Sequence, residues 1–204
     1  SKFIMGAVFY NQAVDNYLDE KMEADTKPND KPYKDGACYT GKEHSWDEAF
    51  GYWGAAAHSL LLSAEQNYNV AKKKDLVSAD HNGDGVVDLK SEYVFAHAYY
   101  ASSFDKGGKT TYMADITRAF LDGRKLITSA NGEKLTDAQR SELMGYVDNI
   151  STNWEKVIAE SVFKYAGSTY KSLVALEDVS NADLSKEFDK YMKYYGELKG
   201  FSMA

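Results

Sequence analysis

The sequence predicts an all-α protein arranged as an antiparallel helical bundle. Apolar residues recur at three- and four-residue steps over long segments, the pattern of helices that each bury one face. The 204 residues contain only two prolines. Neither period-2 alternation nor hairpin turn signals recur. With 44% hydrophobic residues the chain can bury a sizeable core, and it reads as a single helical domain over residues 1–204.

The first helix is expected over residues 2–24. It opens on the apolar run Phe3 to Tyr10 with Ser1 as its cap. Such a start reads as the interior of a helix, so the chain is expected to be a fragment of a longer protein from which a preceding portion has been removed. Residues 26–39, with Pro28 and Pro32, form the exit loop. A second helix is expected over 41–67, where Trp46, Ala49, Phe50, Trp53, Ala57, Leu60 and Leu61 make one continuous buried stripe. Residues 70–88 read as loop, with Asp88 capping a third helix over 89–103. After Gly107-Gly108, a fourth helix over 110–129 turns Ile116, Ala119, Phe120 and Ile127 inward, and its Gly123 marks a close helix contact or a break.

Thr136-Asp-Ala-Gln139 is a capping-box pattern, in which hydroxyl and amide side chains satisfy free backbone donors at a helix start. The long helix that follows carries the seam Leu143, Val147, Ile150, Trp154, Val157, Ser161 and Tyr165, spaced for bundle packing. Gly167 is expected to interrupt it. Ser180 is expected to cap a last helix whose Leu184, Phe188, Tyr191 and Tyr195 share one face.

Within the 70–92 connection lies Asp-His-Asn-Gly-Asp-Gly-Val-Val-Asp-Leu-Lys-Ser-Glu, residues 80–92. A hard cation such as Ca²⁺ takes six to eight oxygens, and Asp80, Asn82, Asp84 and Asp88 offer side-chain oxygens at alternate positions. The Val86 carbonyl adds another. Gly85 stands at the sixth position, where the loop must turn sharply, and Gly83 keeps the first half compact. The bidentate acid of an EF-hand loop would fall at Ser91; Glu92 supplies that carboxylate one residue late. The expectation is an EF-hand-like calcium loop inserted in the bundle, with Asp80, Asn82, Asp84, Val86, Asp88 and Glu92 as ligands. The plain alternative is an Asx- and Gly-rich turn without metal.

Composition excludes several classes. A net charge of −7 and a pI near 5.1 argue against nucleic acid, which requires a basic face. Lys72-Lys73-Lys74 is too short to form one, and the only arginines are Arg118, Arg124 and Arg140. Cys38 is the only cysteine, so no intrachain disulfide forms. No apolar run approaches the ~18–20 residues of a membrane span, and no signal peptide is visible. The calcium loop favours an extracytoplasmic setting, where calcium is plentiful.

A second constellation opens the second helix. His44, Asp47 and Glu48 fall at i, i+3 and i+4 on one face, with Glu43 beside them, so an imidazole and two carboxylates can share a metal or a proton. The alternative is an ordinary His-carboxylate pair near a helix N-terminus. His58 lies too far along the axis to join them. His81 and His97 sit in no motif, and His97 reads as a packed helix residue.

Three segments carry a family resemblance: Gly-Ala-Val-Phe-Tyr-Asn-Gln at 6–12, His-Ser-Trp-Asp-Glu-Ala-Phe-Gly-Tyr-Trp-Gly at 44–54, and Asp-His-Asn-Gly-Asp-Gly-Val-Val-Asp-Leu-Lys-Ser-Glu-Tyr at 80–93. In that order they resemble a bacterial family allied to the imelysin-like superfamily. The resemblance implies a helical-bundle, extracytoplasmic protein, nominally classed with metallopeptidases and associated with iron uptake. It also implies that the chain is the C-terminal part of a longer member. The superfamily marker is Gly-x-His-x-x-Glu, to which His44 with Asp47 or Glu48 would correspond. Here Lys42 stands where the marker has Gly, Asp47 where it has Glu, and Glu48 one place later.

Three functions follow as expectations. The first is a calcium-stabilised helical binding protein, linked to metal (iron) uptake through the His44 region. The second is a zinc-dependent metallopeptidase-like hydrolase in which His44 and a carboxylate hold zinc and Glu48 or Glu43 acts as general base; a second metal such as Zn or Fe at His44 is the cofactor expectation for this region. The third is a carbohydrate- or protein-binding surface built on Tyr191, Tyr194 and Tyr195, in a chain with sixteen Tyr, nine Phe and three Trp. Binding is favoured over catalysis, because a catalytic zinc takes three protein ligands and no distant third ligand is evident. Expected partners are the N-terminal portion of the same precursor and a second copy of the chain in a homo-oligomer.

Overall fold

The structure is a computed structural model that describes residues 1–23 and 25–204, without the side chain of Glu23. It is all-α. Among the described residues there is no β-strand, and an isolated bridge pairs Pro32 with Thr40. The N-terminal helix starts as α1 (Lys2–Ile4) and continues in the wider π-helical winding through Met5–Tyr10 and Gln12–Glu23. Ala13, Tyr17, Leu18 and Met22 are its buried residues in the second stretch. The expected end of this helix, Ala24, lies outside the described residues.

The second helix departs from expectation, since α2 (Gly41–Trp53) stops at Gly54. Gly54 takes φ 86°, the left-handed conformation that closes a helix and that glycine adopts without a Cβ penalty. A Cβ at residue 54 would also sit 2.7 Å from the Phe95 carbonyl. The chain then makes one 3₁₀ turn (Ser59–Leu61) and starts afresh as α3 (Ala64–Ala71). There Ser63 and Gln66 form a reciprocal capping box. The expected buried stripe therefore ends at Trp53: Ala57 is exposed and Leu61 is 73% exposed.

A short α4 (Leu76–Ala79) precedes the acidic loop. The third helix begins late, as α5 (Ala96–Asp105), because Asp88 spends its carboxylate on Lys90 N–H and the Ser91 hydroxyl rather than on a helix start. Then follow α6 (Tyr112–Ser129), α7 (Asp137–Ala175) and α8 (Leu184–Ser202). Gly167 does not interrupt α7. All seven seam residues of α7 are buried.

The core lies where α2, α5, α6 and α7 meet. Trp46, Trp53 and Trp154 are its largest fully buried side chains, and Trp53 meets Trp154 edge-on at 4.9 Å. The last helix is reversed from expectation. Leu184, Phe188 and Tyr195 are exposed, while α8 seats Gly200 and Phe201 against α1 and α5.

Candidate functional site

The acidic loop is built by its own side chains. Asp80 Oδ1 accepts Gly83 N–H at 2.8 Å and Asp84 N–H at 3.2 Å, and Oδ2 accepts Gly85 N–H at 2.8 Å. Asn82 Oδ1 accepts Asp84 N–H, Asp84 Oδ1 accepts Val86 N–H, and Asp88 Oδ1 accepts Lys90 N–H. Asx turns at Asn82, Asp84 and Asp88, with the Asp80 carboxylate gathering three amides of the turn that follows it, thus coil the backbone. Gly83 at φ 74° and Gly85 at φ 82° supply the left-handed corners. The amide of Lys90 and the Ser91 hydroxyl hold the Asp88 carboxyl below the usual carboxylate range.

Glu92, 5% exposed, closes the loop. Its Oε1 accepts His81 N–H at 3.1 Å and Asn82 N–H at 3.2 Å, and its Oε2 accepts Asp88 N–H at 2.9 Å. One carboxylate thus ties the entering and leaving limbs together. Among the described residues no three His, Cys, Asp or Glu side chains converge as a ready-made metal cage. The side-chain oxygens of the loop come from Asp80, Asn82, Asp84 and Asp88.

The loop is fastened to the segment that follows α2. Ala57 N–H donates to the Ser91 carbonyl at 2.7 Å, and Phe95 N–H donates to the Gly54 carbonyl at 2.9 Å. The His58 and His81 rings stack at 4.6 Å with planes 4° apart. His58 Nε2 also donates to the Ser78 carbonyl at 2.9 Å. Neither histidine sits in a recognisable motif. Their pairing arises because the break at Gly54 swings residues 55–62 onto the loop.

On α2, Thr40 and Glu43 form the starting capping box. Glu43 Oε1 also accepts Arg124 Nη1 at 2.6 Å and the Thr128 hydroxyl at 2.9 Å; Arg124 Nη1 contacts the Thr128 hydroxyl as well. Burial works to raise the Glu43 carboxyl, but the Thr40 amide, Thr128 and Arg124 together hold it below the ordinary carboxylate range. Asp47 Oδ1 accepts Arg124 Nε at 2.8 Å.

His44 instead pairs through Nε2 with Glu48 Oε1 at 3.1 Å. Its ring lies against Tyr33 at 3.9 Å and Tyr39 at 5.7 Å. The four candidates thus divide into an imidazole–carboxylate pair and a two-carboxylate clamp on Arg124. Arg124, the residue that organises this face, is 77 positions from Asp47 in sequence. The only available signal was its rarity among three arginines. On α8, Phe188, Tyr191 and Tyr195 form a row at 6.2 Å and 6.1 Å, whereas Tyr194 turns toward Tyr165.

The chain matches the family described as Domain of unknown function (DUF4856) over residues 1–185, and it belongs to that family. No curated protein and no solved structure matches it.

Proposed function

We propose that the protein is a calcium-braced helical binding protein: an antiparallel bundle in which the EF-hand-like loop from Asp80 to Glu92 holds Ca²⁺ as a structural ion and the α2 face receives a ligand. The observation that carries the calcium reading is the side-chain-to-backbone bonding of the loop: Asp80 accepts the amides of Gly83, Asp84 and Gly85, and Asn82, Asp84 and Asp88 each close an Asx turn. These bonds hold four oxygen-bearing side chains around two left-handed glycines. Asp80, Asn82, Asp84 and Asp88 with the Val86 carbonyl would hold the ion. Glu92, expected as a sixth ligand, is buried and ties the entering limb to the leaving one through His81, Asn82 and Asp88 N–H, so its first role is to brace the limbs.

The ion neutralises three neighbouring carboxylates, which links its binding to folding. Without a bidentate glutamate at position twelve, the site belongs to the weak class of extracellular modules, with Kd about 10⁻⁴–10⁻³ M. In this reading the protein works outside the cytoplasm. The alliance with imelysin-like proteins and a link to metal uptake would run through His44 and Glu48. A zinc or iron ion using Glu43 or Asp47 would first have to displace the Arg124 cation.

The test is thermal unfolding in millimolar calcium and in EDTA. Calcium at ten to a hundred times Kd adds about 1.4–2.7 kcal/mol, a rise of about 5 °C for a chain of this size. The double variant Asp80→Ala, Asp84→Ala should melt alike in both buffers. A wild-type protein indifferent to calcium would remove the site. Elemental analysis of the purified protein addresses the hydrolase alternative, which requires stoichiometric zinc or iron.

A further inference from the structure

A cleft of about 180 Å³ opens between α2 and α6. Trp46 and Phe50 wall it from α2, Phe120 and Leu121 from α6, and Leu60 from the turn that follows α2. The rings are already locked: Trp46 Nε1 donates to the Phe120 carbonyl at 2.7 Å, and Phe120 meets Trp46 and Phe50 edge-on at 5.7 Å and 5.5 Å. The walls supplied by α2 and α6 therefore need no rearrangement to receive a guest, which limits the ordering cost of binding. A cavity of this size holds one ring or branched alkyl group, since an apolar cavity of about 150 Å³ accepts benzene.

Asp47 and Arg124 stand at one edge of the cleft. Arg124 is shared between Asp47 and Glu43, which is buried and does not itself line the cleft, so Glu43 offsets the arginine and the three groups together carry a net charge of −1 at neutral pH. Asp47 gives only Oδ1 to Arg124, and its side chain is 54% exposed. An exposed carboxylate in a cluster of net negative charge, at the edge of an apolar cavity, selects a cation over an anion.

We infer that the cleft binds a small organic ammonium ion, its apolar body against Phe50, Leu60 and Leu121 and its charged head at Asp47. This rests on the reading of α2 as the binding element and names the class of ligand that it takes.

The test uses the whole chain in calcium, with 2-phenylethylamine and its isosteric anion 3-phenylpropionate as probes. Binding is followed by saturation-transfer NMR and by titration of tryptophan fluorescence. Two variants accompany the wild type, each checked by circular dichroism. Asp47→Asn removes the charge, and Ala57→Trp fills the cleft from an exposed position on its lining. The amine should bind the wild type, bind Asp47→Asn at least about tenfold more weakly, and lose binding to Ala57→Trp; the anion should bind the wild type at least about tenfold more weakly than the amine. Absence of amine binding, equal binding of the anion, or unchanged binding to a folded Ala57→Trp protein overturns the inference. Failure of the calcium loop shows in the EDTA melting curve and leaves this comparison of probes intact.

Discussion

Gly123 faces the edge of Trp46 so closely that a Cβ at that position would lie 2.2 Å from the indole Cζ2. Of the two expectations for this glycine, the close contact holds, and α6 runs on without a break. Trp46 cannot retreat, since its Nε1 is bonded to the Phe120 carbonyl. Gly123→Ala would gain helix propensity of about 1 kcal/mol, but overpacking costs about 1–3 kcal/mol or more and dominates here. Chemical denaturation should show a net loss of about 1–2 kcal/mol.

His97 is the second case. It is wholly buried against Trp154 and Phe201, and neither ring nitrogen has a protein partner. Burial, helped by Lys2, pushes its pKa down to about 3. The unfolded chain takes up a proton near 6.5 and the folded one does not until about 3. This group's contribution is therefore intact above pH 6.5 and is lost progressively as the pH falls toward 3. At pH 4.5 the loss is about 2–3 kcal/mol. His97→Leu, nearly equal in volume, should remove that share. In EDTA the difference in urea midpoint between pH 7.5 and 4.5 should shrink in the variant; an unchanged difference would show that His97 is hydrated or partnered.

Helix α6 starts with an unusual cap. Its N-cap, Thr111, makes no side-chain cap bond; Asp105, from the end of α5, accepts Tyr112 N–H at 3.0 Å, Met113 N–H at 2.6 Å and the Thr110 hydroxyl at 2.7 Å. Asp105 is 4% exposed, so Asp105→Ala would strand one buried and one part-buried amide and should cost about 2–3 kcal/mol. Asn retains the acceptor and should recover part of that. The two denaturation midpoints separate a capping role from mere packing.

This cap also shows what a sequence conceals. The start of α7 is legible because Thr136 and Gln139 lie in one turn, and its seam is legible because the period is uninterrupted. Asp105 and Arg124 act across loops or between helices, where no local spacing reports them. The break after Trp53 is written in Gly54 and again in Ser63-Ala-Glu-Gln66, but an apolar period that continues past Gly54 masks it. For α8, two apolar stripes compete. The buried one ends at Gly200 and Phe201, and a Cβ on Gly200 would meet Lys2 Cβ at 2.7 Å, a contact that depends on a residue almost 200 positions away.

At the scale of the molecule, the proposed calcium loop and the α2–α6 cleft share a wall. Ala57, on the cleft lining, donates its N–H to Ser91 at the end of the loop. His58 holds the Ser78 carbonyl just before the loop and stacks on His81 within it. Residues 54–62 have little helix of their own, so their order comes chiefly from these bonds. An ion that tightens the loop should therefore slow opening of this distant segment as well. Amide exchange measured with and without calcium should show added protection at residues 80–92 and also at Ala57, Ser59 and Leu61, with α7 unchanged. In the Asp80→Ala, Asp84→Ala variant both effects should vanish together. Protection confined to the loop would mean that the wall of the cleft is held by its own packing, and that calcium braces the connection without setting the shape of the site.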